Sequence, residues 1–253
     1  MASPTLEPPS TTEQQARVDL AAAFRWAARY NYHESIANHF SFALSEDGKK
    51  FLLQPVGMHF SQVKASDLML LDADDPGTYT GKNAPDPSAW FLHAHLHQHL
   101  PHARCLLHVH APYSLALACL KNYEFLMLDQ NACRFYGRIA YDRNYNGLAL
   151  DDDEGERVAK LMQDGKSILF MGNHGIMVMA PTIAQAFDDL YYLEKAAQVQ
   201  VLALQTGRDL AIIPDEIAAR AERQWNEYPT AFSDLHLNAL KGILDQEEPE
   251  YKH

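Results

Sequence analysis

Two histidines separated by one residue, His108 and His110, close the apolar stretch 104–110, which has the character of a buried strand. Side chains two positions apart on a strand project from the same face, so both imidazoles can reach one metal ion. A third histidine, His174, lies between two further apolar stretches, with small neighbours that permit a sharp turn. We expect these three histidines to form a metal site with one position open for substrate. The alternative is that they are ordinary histidines near strand ends that bind no metal.

Neutral imidazole suits zinc, iron, nickel or copper, and manganese less readily. We therefore expect a divalent metal ion as the cofactor, zinc first, with manganese or iron as alternatives.

Seven of the thirteen histidines fall between residues 93 and 110. Spacing of two along a helix distributes side chains around the axis, so this group cannot face one site. His93 and His97 share one helical face, and we expect His93 to point inward, near the metal site. The other four members are expected to be bystanders of the site: His95, His97, His99 and His102. For His95, His99 and His102 we expect solvent-facing or capping roles.

The sequence contains no Gly-x-Ser-x-Gly elbow, which would carry a nucleophilic serine, and no P-loop. Cys133 has no histidine close to it in the sequence and fits a buried thiol. Three tyrosines are candidate proton donors, although tyrosines are more often packed than catalytic. They are Tyr136, Tyr141 and Tyr145, and we choose Tyr141 as the catalytic candidate.

These side chains need a scaffold, which the hydrophobic pattern predicts to be of the α/β class. Helices are predicted over residues 13–29, 90–99, 113–120, 154–163 and 182–207. Strands are predicted over residues 39–44, 50–54, 68–72, 104–110, 167–171 and 176–179. No repeat or Gly/Ser-rich linker divides the chain. We expect a flexible tail over residues 1–12, one domain over 13–230 and a C-terminal extension over 231–253.

The chain has 253 residues, a formal net charge of −12 and 47% hydrophobic residues, so it is a normal globular sequence. Negative charge spread along the chain argues against nucleic acid as a partner. No apolar run is long enough to span a bilayer, and the N-terminus lacks the pattern of a signal peptide. Three cysteines make a disulfide framework implausible. We expect a cytoplasmic protein with a small-molecule substrate and no membrane partner.

Several motifs together resemble the class II aldolase/adducin family, and most closely its bacterial adducin-like branch. The resemblance covers most of the chain, from the first predicted helix to the long helix after residue 182. It rests on His108-Val109-His110, Asn173-His174-Gly175, Ala37-Asn38-His39-Phe40-Ser41, Pro55-Val56-Gly57, Ala65-Ser66-Asp67-Leu68 and the run 134–141.

The resemblance implies a three-layer α/β/α domain around a largely antiparallel sheet. It also implies a homotetramer with sites between subunits, and a divalent metal held by His108, His110 and His174. In the similar fuculose-phosphate aldolases and ribulose-phosphate epimerases the metal polarises a carbonyl or enediolate, and an acidic residue handles protons. The position of that acid is Ala89 in this sequence, so the usual acid/base is missing.

The phosphate-binding positions of the family also differ in this chain. They correspond to Ala37-Asn38, to Val56 before Gly57, and to Pro87-Ser88, where two hydroxyls that would contact a phosphate dianion are lost. We therefore expect Asn38, Gly57 and Ser88 to bind a substrate that is not a sugar phosphate.

Three functions are compatible with these features. The first is a metal-dependent carbon–carbon lyase, either an aldolase or a decarboxylase, acting on a non-phosphorylated hydroxy or keto acid, with proton transfer by His39, His93 or Tyr141. The second is a non-heme iron oxygenase or oxidative decarboxylase, although the usual iron triad includes a carboxylate. The third is a non-catalytic adducin-like assembly module, against which the retention of all three histidines argues.

Overall fold

The computed structural model describes residues 12–81, 84–228 and 231–253. The helices are α1 (Glu13–Arg29), α2 (Pro87–His99), α3 (Pro112–Ala118), α4 (Asp152–Leu161), α5 (Ile183–Gln205), α6 (Asp215–Asn226) and α7 (Phe232–Glu247). The strands are β1 (His39–Ala43), β2 (Lys50–Leu53), β3 (Met69–Asp72), β4 (Cys105–Val109), β5 (Ile139–Asp142), β6 (Ile168–Met171) and β7 (Gly175–Ala180). The predicted flexible tail lies outside the described residues except for Thr12. None of the described helices combines the length and apolar character needed to cross a membrane.

These strands form one mixed sheet in the order β3-β2-β1-β4-β7-β6-β5. Neighbouring strands run antiparallel except β5 and β6, which are parallel. Together with the helices, this sheet confirms the predicted α/β class and its largely antiparallel strands. The register between β1 and β4 places His39 directly opposite His108, so their side chains share one face of the sheet.

Side chains of the central strands alternate between apolar clusters on the two faces of the sheet. On β7, Ile176 and Val178 pack in a cluster with residues of α1 and α5, whereas Met177 and Met179 pack in a cluster with residues of α2 and α4. This is the period of two that a strand imposes when both of its faces are buried. The same alternation on β1 and β4 puts the histidines on the side of the sheet where α2 lies.

Helix α2 begins at Pro87, three residues before the predicted start. Asp86 accepts hydrogen bonds from the backbone N–H groups of Ser88 and Ala89 and so caps the helix, while Pro87 occupies the first helical position. The predicted start at residue 90 was too late, because a proline at the first helical position is compatible with a helix that begins there.

Three elements were not predicted from the sequence: β5, α6 and α7. Helix α7 buries Leu244 against the core that α1 and α5 share. Trp26 Nε1 donates to the carbonyl of Leu240 over 3.0 Å, and Arg25 pairs with Glu248 at 2.7 Å. The segment after residue 231 therefore packs on α1, and the domain boundaries stay a prediction.

Candidate metal centre

Three histidines converge at the end of β4. His108 lies on β4, His110 follows it by two residues, and His174 lies in the turn between β6 and β7. One nitrogen of each ring lies within 4.8 Å of the other two. The turn requires an unusual backbone, since Asn173 has a φ of 58°, which asparagine tolerates better than most residues. Antiparallel pairing of β4 with β7 holds this turn beside the end of β4.

The rings of His108 and His110 are oriented by hydrogen bonds on their Nδ1 atoms. His108 Nδ1 lies 3.0 Å from the carbonyl oxygen of Ile176, and His110 Nδ1 lies 2.7 Å from a carboxylate oxygen of Glu34. These oxygens accept, so Nδ1 carries the proton and Nε2 keeps its lone pair in the neutral ring. The two Nε2 atoms lie 3.1 Å apart. Two lone pairs that face each other at this distance suit a cation between them.

Burial favours the neutral form of these rings. It lowers the pKa of His108 well below its usual value and lowers the pKa of His174 to about 4. Neutral imidazole is the form that binds a metal ion. Three imidazoles, two of them held by outer hydrogen bonds, are therefore a donor set that fits a divalent cation of the zinc, iron or copper type.

His39 and His93 lie beside this centre. The ring of His39 packs 4.8 Å from that of His108, measured between centroids, and its Nδ1 lies 2.7 Å from Nε2 of His93. His93 is fully buried and points inward from α2. It contacts His39, which stands between it and His108.

His97 was predicted to be a bystander; the structure shows it buried and hydrogen-bonded, and its role stays a prediction. Its side chain is only 3% exposed, with Nε2 at 2.7 Å from the hydroxyl of Ser41 and Nδ1 at 2.8 Å from the carbonyl of Ala103. His93 and His97 are four residues apart on the face of α2 that covers β1, so both are buried. His95, His99 and His102 are exposed or partly exposed, each with a hydrogen bond at 2.8 to 3.0 Å.

The three predicted substrate-binding residues have different surroundings. Asn38 is buried; its Oδ1 accepts from the backbone N–H groups of Glu34 and His110, while its Nδ2 has no partner among the described residues. The hydroxyl of Ser88 donates to Asp86. Gly57 has a φ of 82° and lies exposed in a loop. Of the three, Asn38 is the residue in contact with the histidine cluster.

Tyr141 lies on β5, and its hydroxyl accepts a hydrogen bond from the backbone N–H of Phe125 at 2.7 Å. Burial raises its pKa, which keeps the phenol protonated. It lines a cavity of about 560 Å³ together with Asn173. Tyr145 is the tyrosine whose ring approaches His174, at 6.1 Å between centroids, and it is half exposed.

Two residues of this region were missed in the sequence. Ser41 stands in a motif that was recognised, and its position two residues after His39 on a strand could have signalled that it shares the same face. Glu34 carried no such signal, because it lies 76 residues before its partner His110.

Comparison with known proteins decides the family. The model of the class II aldolase and adducin N-terminal domain matches residues 18–201. The chain belongs to this family. A protein of Pseudomonas aeruginosa that is named as a candidate class 2 aldolase is 30% identical to it over 249 residues, covering 96% of this chain and 94% of the other.

A solved aldolase II superfamily protein from Pseudomonas syringae has the class II aldolase fold in common with this chain. The two superpose with a TM-score of 0.85 at 29% identity, covering 98% of each chain.

Two further relatives carry names that describe reactions. Decarboxylase NovR from Streptomyces niveus is 29% identical, covering 87% of this chain and 82% of the other. An enzyme of Streptomyces roseochromogenus, named 4-hydroxy-3-prenylphenylpyruvate oxygenase/4-hydroxy-3-prenylbenzoate synthase, is 29% identical, covering 82% and 77% respectively.

Proposed function

We propose that this class II aldolase family member is a divalent-metal-dependent carbon–carbon lyase, of aldolase or decarboxylase type, acting on a non-phosphorylated hydroxy or keto acid. The observation that carries the proposal is the convergence of His108, His110 and His174, with two of the rings fixed by outer hydrogen bonds. Zinc is the cation that we propose first, with manganese or iron as alternatives.

A bound divalent cation supplies a Lewis acid, which stabilises the negative charge that develops when a carbon–carbon bond beside a carbonyl breaks. The residues of the chain bind and orient. The buried imidazole of His108 and the half-buried imidazole of His174 present lone pairs without first losing a proton. Glu34 fixes the ring of His110. These contacts fix the ligand rings before substrate binds, and such preorganisation is what electrostatic stabilisation of a transition state requires.

Proton transfer is assigned to His39, with His93 and Tyr141 as the other candidates. His39 stands beside His108 in the register of the sheet. His93 acts on the site through His39, and the hydroxyl of Tyr141 is engaged by a backbone N–H. His39 is therefore the candidate best positioned next to the three histidines.

The residues at the family's phosphate-binding positions favour a carboxylate over a phosphate dianion. Val56 and Pro87 offer no hydroxyl, and the hydroxyl of Ser88 already donates to Asp86. Asn38 retains one buried amide nitrogen as a donor. We propose that Asn38 binds the acid group of the substrate, with Gly57 and Ser88 as the other substrate-binding positions.

A panel of unphosphorylated hydroxy and keto acids tests the reaction, with fuculose 1-phosphate as the phosphorylated comparison. We expect the metal-loaded protein to release an aldehyde or carbon dioxide from a member of the acid panel, and this release to stop in His174→Ala but to persist in His99→Ala. Inactivity on every acid while metal stays bound would contradict the lyase. Turnover of the sugar phosphate at an ordinary enzymatic rate would contradict the substrate class.

An iron-dependent oxygenase is the second candidate. One observation favours it: a relative bears the name of an oxygenase. The three-histidine cluster of the described residues, however, lacks the carboxylate of the usual iron triad. Oxygen uptake with Fe(II) and an acid of the panel, absent with Zn(II), would move the assignment to this candidate.

The non-catalytic assembly module is the weakest candidate, since an assembly surface has no need for an open metal face. We also propose a three-layer α/β/α arrangement, a homotetramer and a cytoplasmic location, as the family resemblance implies. Helices on both sides of the sheet support the layering.

A further inference from the structure

A chain of four buried polar side chains leads inward from the histidine cluster. It runs from His39 of β1 to His93 of α2, then to Ser41 of β1 and His97 of α2, and it ends at the carbonyl of Ala103. The members alternate between strand and helix because residues two apart on β1 meet residues four apart on α2.

The far end of this chain fixes its direction. The carbonyl of Ala103 can only accept, so Nδ1 of His97 carries a proton. Burial lowers the pKa of His97 to about 4, so the ring is neutral and its Nε2 is an acceptor. The hydroxyl of Ser41 must then donate its proton to that nitrogen.

The remaining protons follow from this first assignment. Since the Ser41 hydroxyl has donated to His97, its oxygen accepts from Nδ1–H of His93. A neutral His93 then has an unprotonated Nε2, which accepts from Nδ1–H of His39. His39 is left with a lone pair on Nε2, an atom with no hydrogen-bond partner in the described parts of the chain.

We infer that Ser41 and His97 are positioning residues, which hold His39 in the tautomer that presents an unprotonated Nε2 beside the metal centre. The role of this tautomer in catalysis rests on the proposed function. An unprotonated Nε2 on His39 accepts a hydrogen bond and so selects a substrate that presents a hydroxyl group to it. A 2-hydroxy acid meets this requirement, whereas a methyl ether of the same acid does not.

The composition of this face supports a role beyond packing. Ala43 follows Ser41 on the same face of β1 and packs against apolar neighbours. An apolar residue is therefore compatible with the buried face of β1 on which Ser41 lies. Replacing a buried polar network by well-packed apolar residues is often neutral or stabilising. A network whose members are all paired therefore contributes orientation more than stability.

Nitrogen-15 NMR of the histidine rings tests the inference, because protonated and unprotonated ring nitrogens give well-separated resonances. Magic-angle-spinning spectra of sedimented, zinc-loaded protein would be recorded, with His39→Gln identifying the resonances of His39. We expect Nε2 of His39 to be of the unprotonated type. A protonated Nε2 in the wild-type protein would overturn the inference.

A matched pair of variants at residue 97 separates positioning from packing. His97→Gln keeps an acceptor for the Ser41 hydroxyl, so His39 should retain its tautomer. His97→Leu removes that acceptor, so Ser41 is free to donate to His93 and the protonation of both rings should reverse. If His39 kept an unprotonated Nε2 in His97→Leu, Ser41 and His97 would not be positioning residues.

The same spectra of metal-free protein distinguish this inference from the proposed function. None of the residues in the chain belongs to the three-histidine cluster, so the tautomer of His39 should be the same without metal. A protein that bound no metal but showed this tautomer and its reversal in His97→Leu would contradict the proposed function alone.

Discussion

Gly175 lies directly against His110. A Cβ atom at position 175 would stand 2.6 Å from Cδ2 of His110 and 2.6 Å from the carbonyl oxygen of Val109, which is closer than carbon and oxygen atoms can approach. The glycine therefore allows the start of β7 to lie close to the end of β4. The position of the His110 ring depends on the absence of a side chain at residue 175.

Gly175→Ala should displace His110 and weaken metal binding. Overpacking of this kind typically costs about 1–3 kcal/mol of folding free energy, and zinc titration together with thermal unfolding would measure both effects. Gly242→Ala is the matched control, because a Cβ there meets open space on helix α7, and it should leave zinc affinity unchanged. Equal zinc affinity in the two variants would show that the close approach is unimportant.

Glu34→Ala should weaken metal binding by about 10–100-fold, the usual effect of removing a hydrogen-bond partner from a ligand histidine. The carboxylate holds Nδ1–H of His110 at 2.7 Å, and without it the ring is free to turn. Glu34→Gln retains an acceptor oxygen and should lose less affinity. Competition with a zinc chelator would rank the three proteins, and equal affinities would exclude a role for Glu34.

Stability of the metal-free protein should fall as the pH is lowered. Burial lowers the pKa of His97 from its ordinary value of 6.5 to about 4. Between these two values the unfolded chain binds a proton that the folded chain does not, so the free energy of unfolding decreases as the pH falls through this window. The loss from His97 alone is up to about 3 kcal/mol.

Denaturant unfolding of wild type and His97→Gln, with a chelator present, would isolate this contribution. The stability difference between the two proteins should change steadily from pH 7 to pH 4, in the direction that favours the glutamine variant in acid. Parallel stability curves over this range would mean that His97 does not titrate on unfolding.

The sequence was sufficient for much of this architecture. Hydrophobic periodicity predicted α1 with the bounds that the structure shows, and the period of two placed His108 and His110 together at a strand end. The sequence pattern did not reveal β5, which is short and only partly buried. Nor did it reveal helix α7, whose apolar residues are buried in the same core as residues of α1. Such elements depend on distant partners, which local patterns do not encode.

The histidines show the same limit. Helical spacing showed that His93 and His97 share a face, but it could not show that both rings pack against β1. Nor could it show that Ser41 links the two rings. Partners such as Glu34 and Ile176 come from remote parts of the chain, and only the register of the sheet brings them to the centre.

Metal content is the most direct test of the central claim, that His108, His110 and His174 hold a catalytic divalent cation. Elemental analysis of protein purified without added metal should find close to one ion per chain, zinc or else manganese or iron, in the wild type and in His99→Ala. The content should fall to background in His108→Ala and in His174→Ala. A wild-type protein without metal, or an unchanged content in these two variants, would contradict the claim.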